Sequence, residues 1–461
     1  MAGASRAATL PVNVGMQRDR RCVHPLPQGE NWEGLLLHVR IPRQIGIGLV
    51  AAAAVVLTAG PASAAPVLPS GTVGALGGQG ATFPALLYKA EQATFSIAHP
   101  SVFDPGGDST KGLVMSYNPI GSGAGIKEFY SSDARKPIEM FGASDALLAN
   151  SDKASITAAV GGFQMLPSAV GAIAVVYNLT PLYQKLSATS KLTRPATLYL
   201  DGPTLGKIYA GQITRWNDPA IAHLNPLITK LPSSSISPVY RSDGSGTTFI
   251  FTSYLNKVST TWHTALGGAP SKTLADKIST MPSKVHAIGA PGNEGVSASV
   301  ANQRGAIGYV ELAYANQLGL KYAWMRTGDT THAYYTPPTV SGAQSAAAVA
   351  ARAGTAANPV NPGTVESGAF YQPVNQKGAT TYAISGYTWL LLYDEYKGSN
   401  DPGPGTTQAL VAWVSWLLSP SGGQASYARL GYGALPLSVS QADESLLQTI
   451  TYNGTQVWNG N

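Results

Sequence analysis

The chain has 461 residues, 44% of them hydrophobic, which is enough for a large core and more than one domain. Its formal net charge of +6 comes from 30 basic and 24 acidic residues. Residues 1–64 contain six of the basic and three of the acidic residues. The remaining chain therefore carries only +3, which gives no reason to expect a nucleic-acid partner. The single cysteine, Cys22, lies in the same leading segment, which excludes disulfides and thiol chemistry from residues 65–461.

Residues 1–64 have the pattern of an N-terminal extension followed by a secretory signal peptide. Arg40 and Arg43 precede an uncharged apolar run of 15 residues, 45–59, whereas a membrane-spanning helix needs about 20. The run leads to an A-x-A cleavage signal that ends at Ala64. We expect export to the periplasm or to the extracellular, cell-wall side of the membrane. No cysteine follows the run, so we expect no lipid anchor of the lipobox type.

The rest of the chain alternates short apolar segments with helical patterns, which predicts an α/β fold. The predicted strands are 113–117, 140–143, 170–177 within the apolar stretch 163–177, 236–241, 305–310 and 387–393. The predicted helices are 86–97, one containing Ile126 and Phe129, 205–209, 220–224, 251–258 and 410–418. Residues 326–375 show little periodicity and are predicted to be a surface excursion with one helix at 346–351.

Two of the predicted strands, 170–177 and 387–393, are strongly apolar and far apart in sequence. We interpret them as crossovers between two lobes that are joined by a hinge. Residues 65–170 and 385–461 are then expected to build lobe I, and residues 171–384 to build lobe II. The ligand cleft is expected between the lobes, with helix N-termini from both sides facing it.

The most informative stretch, residues 241–249, reads Arg-Ser-Asp-Gly-Ser-Gly-Thr-Thr-Phe. Its glycines allow a tight turn, and its hydroxyls are potential donors. Apolar residues follow at the spacing of an amphipathic helix: Phe251, Tyr254, Leu255 and Val258. The run therefore lies at a helix N-terminus, where free N–H groups and the helix dipole favour anions. Arg241 adds a planar cationic fork just before it.

Two further segments also place a hydroxyl residue just before the start of a predicted helix. Thr82 and Phe83 precede a predicted helix, and Ser122 lies in the glycine-rich loop 118–125 before another. Ser144 and Asp145 follow the strand 140–143, at the end where open α/β sheets bind ligands.

Taken in order, these motifs resemble the phosphate-binding proteins of bacterial ABC-type phosphate transporters, the Pst system. The resemblance runs from about Gly77 to Pro436, and residues 326–375 match poorly. It is carried by the segments 80–84, 120–122, 141–145, 241–252, 292–295 and 305–311. It implies a two-lobed, periplasmic-binding-protein-like fold of type II.

The resemblance also implies a function: extracytoplasmic binding of dehydrated inorganic phosphate by hydrogen bonds from two lobes, and its delivery to a permease pair driven by a cytoplasmic ATPase. The implied donors are the N–H groups of Thr82 and Phe83, the N–H and hydroxyl of Ser122, the fork of Arg241, and the helix start at Ser245, Gly246 and Thr247. Asp243 is implied to pair with Arg241 and to hold it. A monomer without cofactor or metal is expected.

Asp145 is the implied selectivity residue. Phosphate near neutral pH carries a proton that a carboxylate can accept, whereas sulfate has none and would leave a buried carboxylate unpaired. The loop after Ser122 departs from the family, because Gly123-Ala124-Gly125 stands where a second serine is usual. That departure removes a hydroxyl and leaves the backbone donors.

An enzyme is disfavoured, since no catalytic set is present. Residues 142–146 approach a G-x-S-x-G elbow but end in Ala146, and residues 202–208 approach a phosphate loop but end in Ile208. The histidines lack the paired spacing of a metal site: His99, His223, His263, His286 and His332. Two alternatives stay open, namely a binding protein for sulfate or molybdate and a phosphate scavenger or sensor that is not coupled to transport.

Overall fold

The computed structural model describes residues 74–103, 112–130, 140–274, 286–353, 373–397 and 402–458. The predicted N-terminal extension, signal peptide and cleavage site lie outside these residues. Within them, no helix combines the length and the apolarity that crossing a membrane requires.

Strands and helices alternate along most of the chain, as the α/β class predicts. The strands are β1 (Ala75–Gly80), β2 (Val114–Asn118), β3 (Phe141–Ser144), β4 (Phe163–Tyr177), β5 (Tyr183–Lys185), β6 (Thr193–Pro195), β7 (Tyr199–Leu200), β8 (Ser237–Arg241), β9 (Ile288–Ala290), β10 (Ala306–Glu311), β11 (Lys321–Tyr322), β12 (Trp324–Arg326), β13 (Tyr335–Thr336), β14 (Ser385–Tyr393), β15 (Glu395–Tyr396), β16 (Thr451–Tyr452) and β17 (Thr455–Gln456).

The α-helices are α1 (Ala85–Ala98), α2 (Pro100–Phe103), α3 (Ser122–Tyr130), α4 (Asn150–Val160), α5 (Gly202–Tyr209), α6 (Pro219–Leu224), α7 (Gly246–Val258), α8 (Thr260–Leu266), α9 (Gly292–Asn302), α10 (Leu312–Gln317), α11 (Val340–Ala353), α12 (Gly403–Leu418), α13 (Tyr427–Leu430) and α14 (Leu437–Leu447). A short 3₁₀ helix covers Gly423–Ala425.

The main sheet is organised around β4, whose 15 residues are all buried. Such a strand has both faces covered, which explains its continuous apolar sequence. Residues 163–172 of β4 pair with β14, and residues 173–177 pair with β10, both antiparallel. One strand therefore runs through two halves of the sheet, and its role as a crossover between lobes stays a prediction.

The two halves of the sheet share a parallel design. In the first half, β2, β1 and β3 are parallel neighbours, and β14 joins β3 to β4. In the second half, β10, β8 and β9 are parallel neighbours beyond β4. Because the strands of each set are parallel, their carboxyl ends meet at one edge of the sheet. The lobe boundaries at residues 170 and 385 stay predictions.

Helix α7 confirms the amphipathic pattern behind the glycine-rich stretch. Phe251, Tyr254 and Leu255 are buried and Val258 is half-buried. Phe251 stacks on Tyr309 of β10, with ring centroids 4.2 Å apart. This packing fixes the start of α7 against the end of β8.

Two predictions on local structure were wrong. Helix α3 begins at Ser122, inside the segment predicted as a loop, because Ile126 and Phe129 bury the helix despite its glycines. Helix α11 spans 340–353 rather than 346–351, and it packs on β4 and β14 instead of lying in a surface excursion. Its buried face consists of Ala343, Ala346, Ala347 and Ala350. Residues 354–372 of that predicted excursion lie outside the described residues.

Candidate functional site

The carboxyl ends of β1, β2 and β3 bring three of the predicted site residues together. Thr82 follows β1, Ser122 follows β2 as the first residue of α3, and Asp145 follows β3. Their side chains are 1–3% exposed. Neighbouring parallel strands therefore deliver a threonine, a serine and a carboxylate to one edge of the sheet.

The second half of the sheet supplies Arg241 and the start of α7. Arg241 is the last residue of β8, and it is 1% exposed. Ser245 caps α7, because its side-chain oxygen accepts the N–H of Thr248 at 3.0 Å. The cap orders the helix start while the first N–H groups stay at the positive end of the dipole.

The two groups of residues are in direct contact. The N–H of Gly123 donates to the Gly244 carbonyl at 2.8 Å. The N–H of Gly246 donates to Ser122 Oγ at 3.1 Å, and Asn293 Nδ2 donates to Thr82 Oγ1 at 3.0 Å. These bonds join the edge that carries Thr82 and Ser122 to the edge that carries Arg241, so the cleft between them is closed.

The hydroxyls of Thr82 and Ser122 have their acceptor positions filled. Ser122 Oγ accepts the N–H groups of Asp145 and Gly246, both at 3.1 Å. Thr82 Oγ1 accepts the backbone N–H of Asn293 at 3.3 Å as well as its Nδ2. A hydroxyl has two acceptor positions and one hydrogen. The hydrogen of Ser122 bonds to the Asp145 carboxyl group, whose pKa it helps to lower, and the hydrogen of Thr82 is left to donate.

Arg241 is held by a bidentate ion pair with Asp243. Its Nε donates to Asp243 Oδ1 at 2.7 Å, and its Nη2 donates to Asp243 Oδ2. The N–H of Gly292 also donates to Asp243 Oδ1, at 3.0 Å. Burial raises the pKa of Asp243, but the hydrogen bonds and the positive charge of Arg241, together with the Gly292 bond, outweigh burial and lower that pKa.

The remaining nitrogen of this guanidinium, Nη1, is buried and has no hydrogen-bond partner among the described residues. An unpaired donor on a buried cation is costly. The charge of Arg241 acts on the Asp145 carboxyl group, whose pKa it lowers, so Nη1 is a donor that an anion bound beside these residues can use.

Asp145 is a buried carboxylate with an unusual pKa. Burial raises its pKa to about 7, although hydrogen bonds from Thr388 and Ser122 and the charge of Arg241 act to lower it. Its Oδ1 accepts the hydroxyl of Thr388 at 2.7 Å. A carboxyl group of this kind can accept a proton from a ligand near neutral pH.

The backbone at Thr82 and Phe83 is oriented by two tyrosines that the sequence did not reveal. Tyr314 donates its hydroxyl to the Thr82 carbonyl at 2.7 Å, and Tyr432 donates to the Phe83 carbonyl at 2.6 Å. The Thr82 carbonyl and the Phe83 N–H belong to the same peptide plane, so Tyr314 fixes the direction of that N–H. In the part of the chain that the structure describes, no acceptor is found for the N–H of Thr82 or Phe83.

Two more residues of the site were missed as functional residues. Asn293 lies in the segment 292–295, which was noted only as a family motif, and it links Thr82 to Thr247 by hydrogen bonds from Nδ2. Thr388 lies in β14, which was predicted only as a crossover strand. Neither residue type is distinctive, and their roles depend on contacts between distant parts of the chain.

The predicted site residues thus lie together, and most of their side chains are buried: Thr82, Phe83, Ser122, Asp145, Arg241, Ser245 and Thr247. Asp243 is 23% exposed. Two backbone donors are engaged within the protein, since the N–H of Gly246 goes to Ser122 and that of Ser245 goes to the Lys272 carbonyl at 2.8 Å. Donation by these two groups to a ligand stays a prediction. Across the described ranges, no cluster of three or more potential metal ligands is present.

Comparison with known proteins places this chain in a family. A family model described as a PBP superfamily domain matches residues 85–421. The phosphate-binding protein PstS of Haemophilus influenzae is 30% identical over 385 residues, which are 83% of this chain and 95% of that protein. The chain belongs to the PstS family within the PBP superfamily. PstS of Pasteurella multocida is 31% identical over 372 residues, 81% of this chain and 89% of its own length.

Other PstS relatives match over a shorter part. The phosphate-binding protein PstS of two Xylella fastidiosa strains is 36% identical over 236 residues. That match covers 51% of this chain, and the chain spans only about half of those relatives, 56% of their length.

Solved structures support the two-lobed architecture of the PstS family. A high-affinity periplasmic phosphate-binding protein, PfluDING, bound with phosphate, superimposes with a TM-score of 0.57 at 20% identity and covers 84% of this chain and 98% of its own. The phosphate-binding protein of Stenotrophomonas maltophilia gives a TM-score of 0.55 at 20% identity, over 81% and 93% of the two chains. The α/β, two-lobed periplasmic-binding-protein fold is confirmed.

Proposed function

We propose that this chain binds inorganic phosphate outside the cytoplasmic membrane and delivers it to an ABC-type phosphate importer. The observation that carries the proposal is the convergence of buried donors on one closed cleft. The hydroxyl of Thr82 has only its hydrogen left to give, and Arg241 Nη1 has no partner within the described chain. Buried hydrogen-bond donors together with one guanidinium that an ion pair fixes in place can bind a small dehydrated oxyanion.

Selection of phosphate over sulfate is assigned to Asp145. A carboxylate among donors repels an anion unless that anion brings a proton to the contact. Phosphate near neutral pH carries such a proton and sulfate does not, so sulfate would leave the carboxylate unpaired. This chemistry favours phosphate over the alternative of a sulfate- or molybdate-binding protein.

The importer partner follows from the family and not from the site. We infer a permease pair with a cytoplasmic ATPase as partner, a monomeric chain, and export through the predicted signal peptide. The PstS family is a family of substrate-binding proteins rather than of enzymes, and we assign no catalytic residue to the site. A scavenger or sensor that is not coupled to transport would use the same phosphate chemistry.

Calorimetric titration of the purified full-length chain, stripped of ligand, tests the proposal directly. We expect one phosphate to bind per chain at about pH 8.5, where Asp145 is charged, and sulfate to release no measurable heat under the same conditions. Equal binding of both anions would contradict the selectivity assignment and leave an oxyanion-binding protein. Absence of binding to either anion would overturn the proposed function.

Replacing Asp145 by asparagine should relax the discrimination against sulfate. The amide lacks the negative charge that sulfate leaves unpaired, a penalty of about 1–3 kcal/mol, so we expect the ratio of sulfate to phosphate dissociation constants to fall about tenfold or more. The measurement is the same pair of titrations on Asp145→Asn. Asp329→Asn is the control, because the contacts of Asp329 are local: its Oδ1 accepts the N–H groups of Thr331 and His332 and lies 3.9 Å from the His332 ring. An unchanged ratio in Asp145→Asn would refute the role of the carboxylate.

A further inference from the structure

Thr388 is a buried residue of β14 that contacts the site through Asp145. Its Oγ1 donates to Asp145 Oδ1 at 2.7 Å, across 243 residues of sequence. Both side chains are at most 3% exposed, so the bond is shielded from water. A hydrogen bond from a neutral hydroxyl to a buried carboxylate is among the stronger ones in proteins.

The position of Thr388 is fixed by its own surroundings. The pairing of β14 with β4 shifts register between Thr388 and Trp389. The Thr388 carbonyl accepts the hydroxyl of Ser168 at 3.2 Å, and Ser168 Oγ lies 2.6 Å from the hydroxyl of Tyr88. A bulge of this kind re-aims a side chain, and here the threonine hydroxyl faces the end of β3.

We infer that Thr388 is a positioning residue for anion selectivity: its hydroxyl holds Asp145 Oδ1, keeps the carboxyl group in its charged form, and directs Oδ2 to the proton of a bound phosphate. This inference rests on the proposed function. Thr388 itself is not assigned a contact with the ligand.

The groups around Asp145 explain why this one hydroxyl matters. Arg241, at the end of β8, is the cation that favours the charged carboxylate, with Ser122 as a second hydrogen-bonding group. The other titratable groups that face it are all buried, and burial raises the pKa of each above its ordinary value: Glu311, Tyr88, Tyr117, Tyr314 and Tyr432. A glutamate and four tyrosines cannot carry a positive charge, so they give Asp145 no further cationic support.

Loss of the Thr388 hydroxyl should shift the balance towards the neutral acid. A hydrogen-bond donor to a carboxylate favours the charged form, so removal of the donor raises the pKa of Asp145 from about 7 to a higher value. A neutral Asp145 carries a proton that it can donate. Sulfate, which needs a donor at this point, would then find one.

The test compares Thr388→Val with the parent chain over a range of about pH 5.5 to 8.5. Phosphate and sulfate are titrated calorimetrically into the purified full-length proteins. In the parent we expect sulfate binding only as the pH falls below about 7, where Asp145 becomes protonated. In Thr388→Val we expect the pH midpoint of sulfate binding to lie about one unit higher, the size expected for one lost charged hydrogen bond.

Two matched variants separate positioning from packing. Thr388→Ser keeps the hydroxyl and should restore the parent pH profile, even if loss of the methyl group lowers the affinity for both anions equally. Thr336→Val removes a buried threonine hydroxyl whose bond, to the Thr381 carbonyl at 2.8 Å, lies outside the site, and it should leave the profile unchanged. If Thr388→Val does not fold, Thr388→Ala is titrated in its place with the same expectation.

The outcomes distinguish this inference from the proposed function. A parent chain that binds phosphate, with a Thr388→Val sulfate profile that matches the parent, overturns the inference alone. A parent chain that binds no phosphate overturns the proposed function and the inference with it. An upward shift in Thr388→Val that serine reverses supports the inference.

Discussion

Arg241→Ala is expected to raise the dissociation constant for phosphate at least about tenfold. Hydrogen bonds to charged groups contribute about 1.5–3 kcal/mol, and each 1.4 kcal/mol is a factor of ten in affinity. The buried Nη1 is the group with which we expect Arg241 to bind phosphate, since Nε and Nη2 are already bound to Asp243. Calorimetric titration with inorganic phosphate measures the change.

The substitution acts on Asp243 as well. Without Arg241 that carboxylate keeps the N–H of Gly292 as a partner but loses its counter-charge, and it then adds negative potential beside the cleft. Both effects weaken phosphate binding, so the loss should exceed that of a single neutral hydrogen bond. Arg241→Lys keeps the positive charge but replaces the planar guanidinium by a single ammonium group, which cannot bind Asp243 and phosphate through separate nitrogens. We therefore expect an intermediate affinity.

The control for these variants is Arg215→Ala. Arg215 is an exposed arginine whose Nη1 donates to the Ser233 carbonyl at 2.7 Å, away from the cleft. Its removal tests whether loss of one positive charge alone weakens phosphate binding by long-range attraction. If Arg215→Ala and Arg241→Ala weaken binding equally, Arg241 has no special role in the site.

Local chemistry made part of the site predictable from the sequence. The stretch 241–249 combines a strand end, glycines, hydroxyls and the start of an amphipathic helix, and each feature acts within a few residues. The ion pair of Arg241 with Asp243 is also local, because the partners are two positions apart in the sequence. Such features follow from spacing and need no knowledge of the tertiary fold.

The supporting residues could not be predicted in the same way. Tyr314, Tyr432, Asn293 and Thr388 contact the site through bonds that span 211 to 349 residues of sequence. A tyrosine that donates to a distant carbonyl has the same local sequence as a tyrosine of the core. Helix α11 was underestimated for a different reason, because its buried face consists of alanines within a segment rich in alanine, glycine, threonine and proline, a composition that was interpreted as a surface excursion.

The structure also gives a reason for the glycine where the family usually has a second serine. A Cβ on Gly123 would lie 3.0 Å from Gly244 Cα, at the point where the Gly123 N–H donates to the Gly244 carbonyl. The missing hydroxyl therefore accompanies a close approach of two backbones across the cleft. In this chain, closure depends on glycine pairs as well as on the ligand donors.

Gly246→Ala is the sharpest test of that dependence, and we expect it to abolish or strongly weaken phosphate binding. A Cβ at Gly246 would lie 2.5 Å from Ser122 Oγ and 2.5 Å from Asp145 Cβ, well inside contact distance. Gly246 lies at the start of α7, whereas Ser122 and Asp145 lie at the opposite edge of the cleft. The clash therefore opposes closure, and relieving an overpacked contact costs about 1–3 kcal/mol, which corresponds to about a 5- to 150-fold loss of affinity.

The fold itself should tolerate this substitution. Gly246 does not have a positive φ, and alanine in a helix is favoured over glycine by up to about 1 kcal/mol. We therefore expect the thermal unfolding midpoint of the ligand-free chain to change little, while the increase in midpoint on adding phosphate is lost. Gly295→Ala is the matched control: it is also a glycine of a helix, α9, and its nearest new contact, Pro291 Cδ, would be at 3.1 Å. Tight phosphate binding by Gly246→Ala would mean that the bound state does not require the contact between α7 and the Ser122–Asp145 edge. Other contacts between the two halves of the sheet would then have to hold the cleft closed.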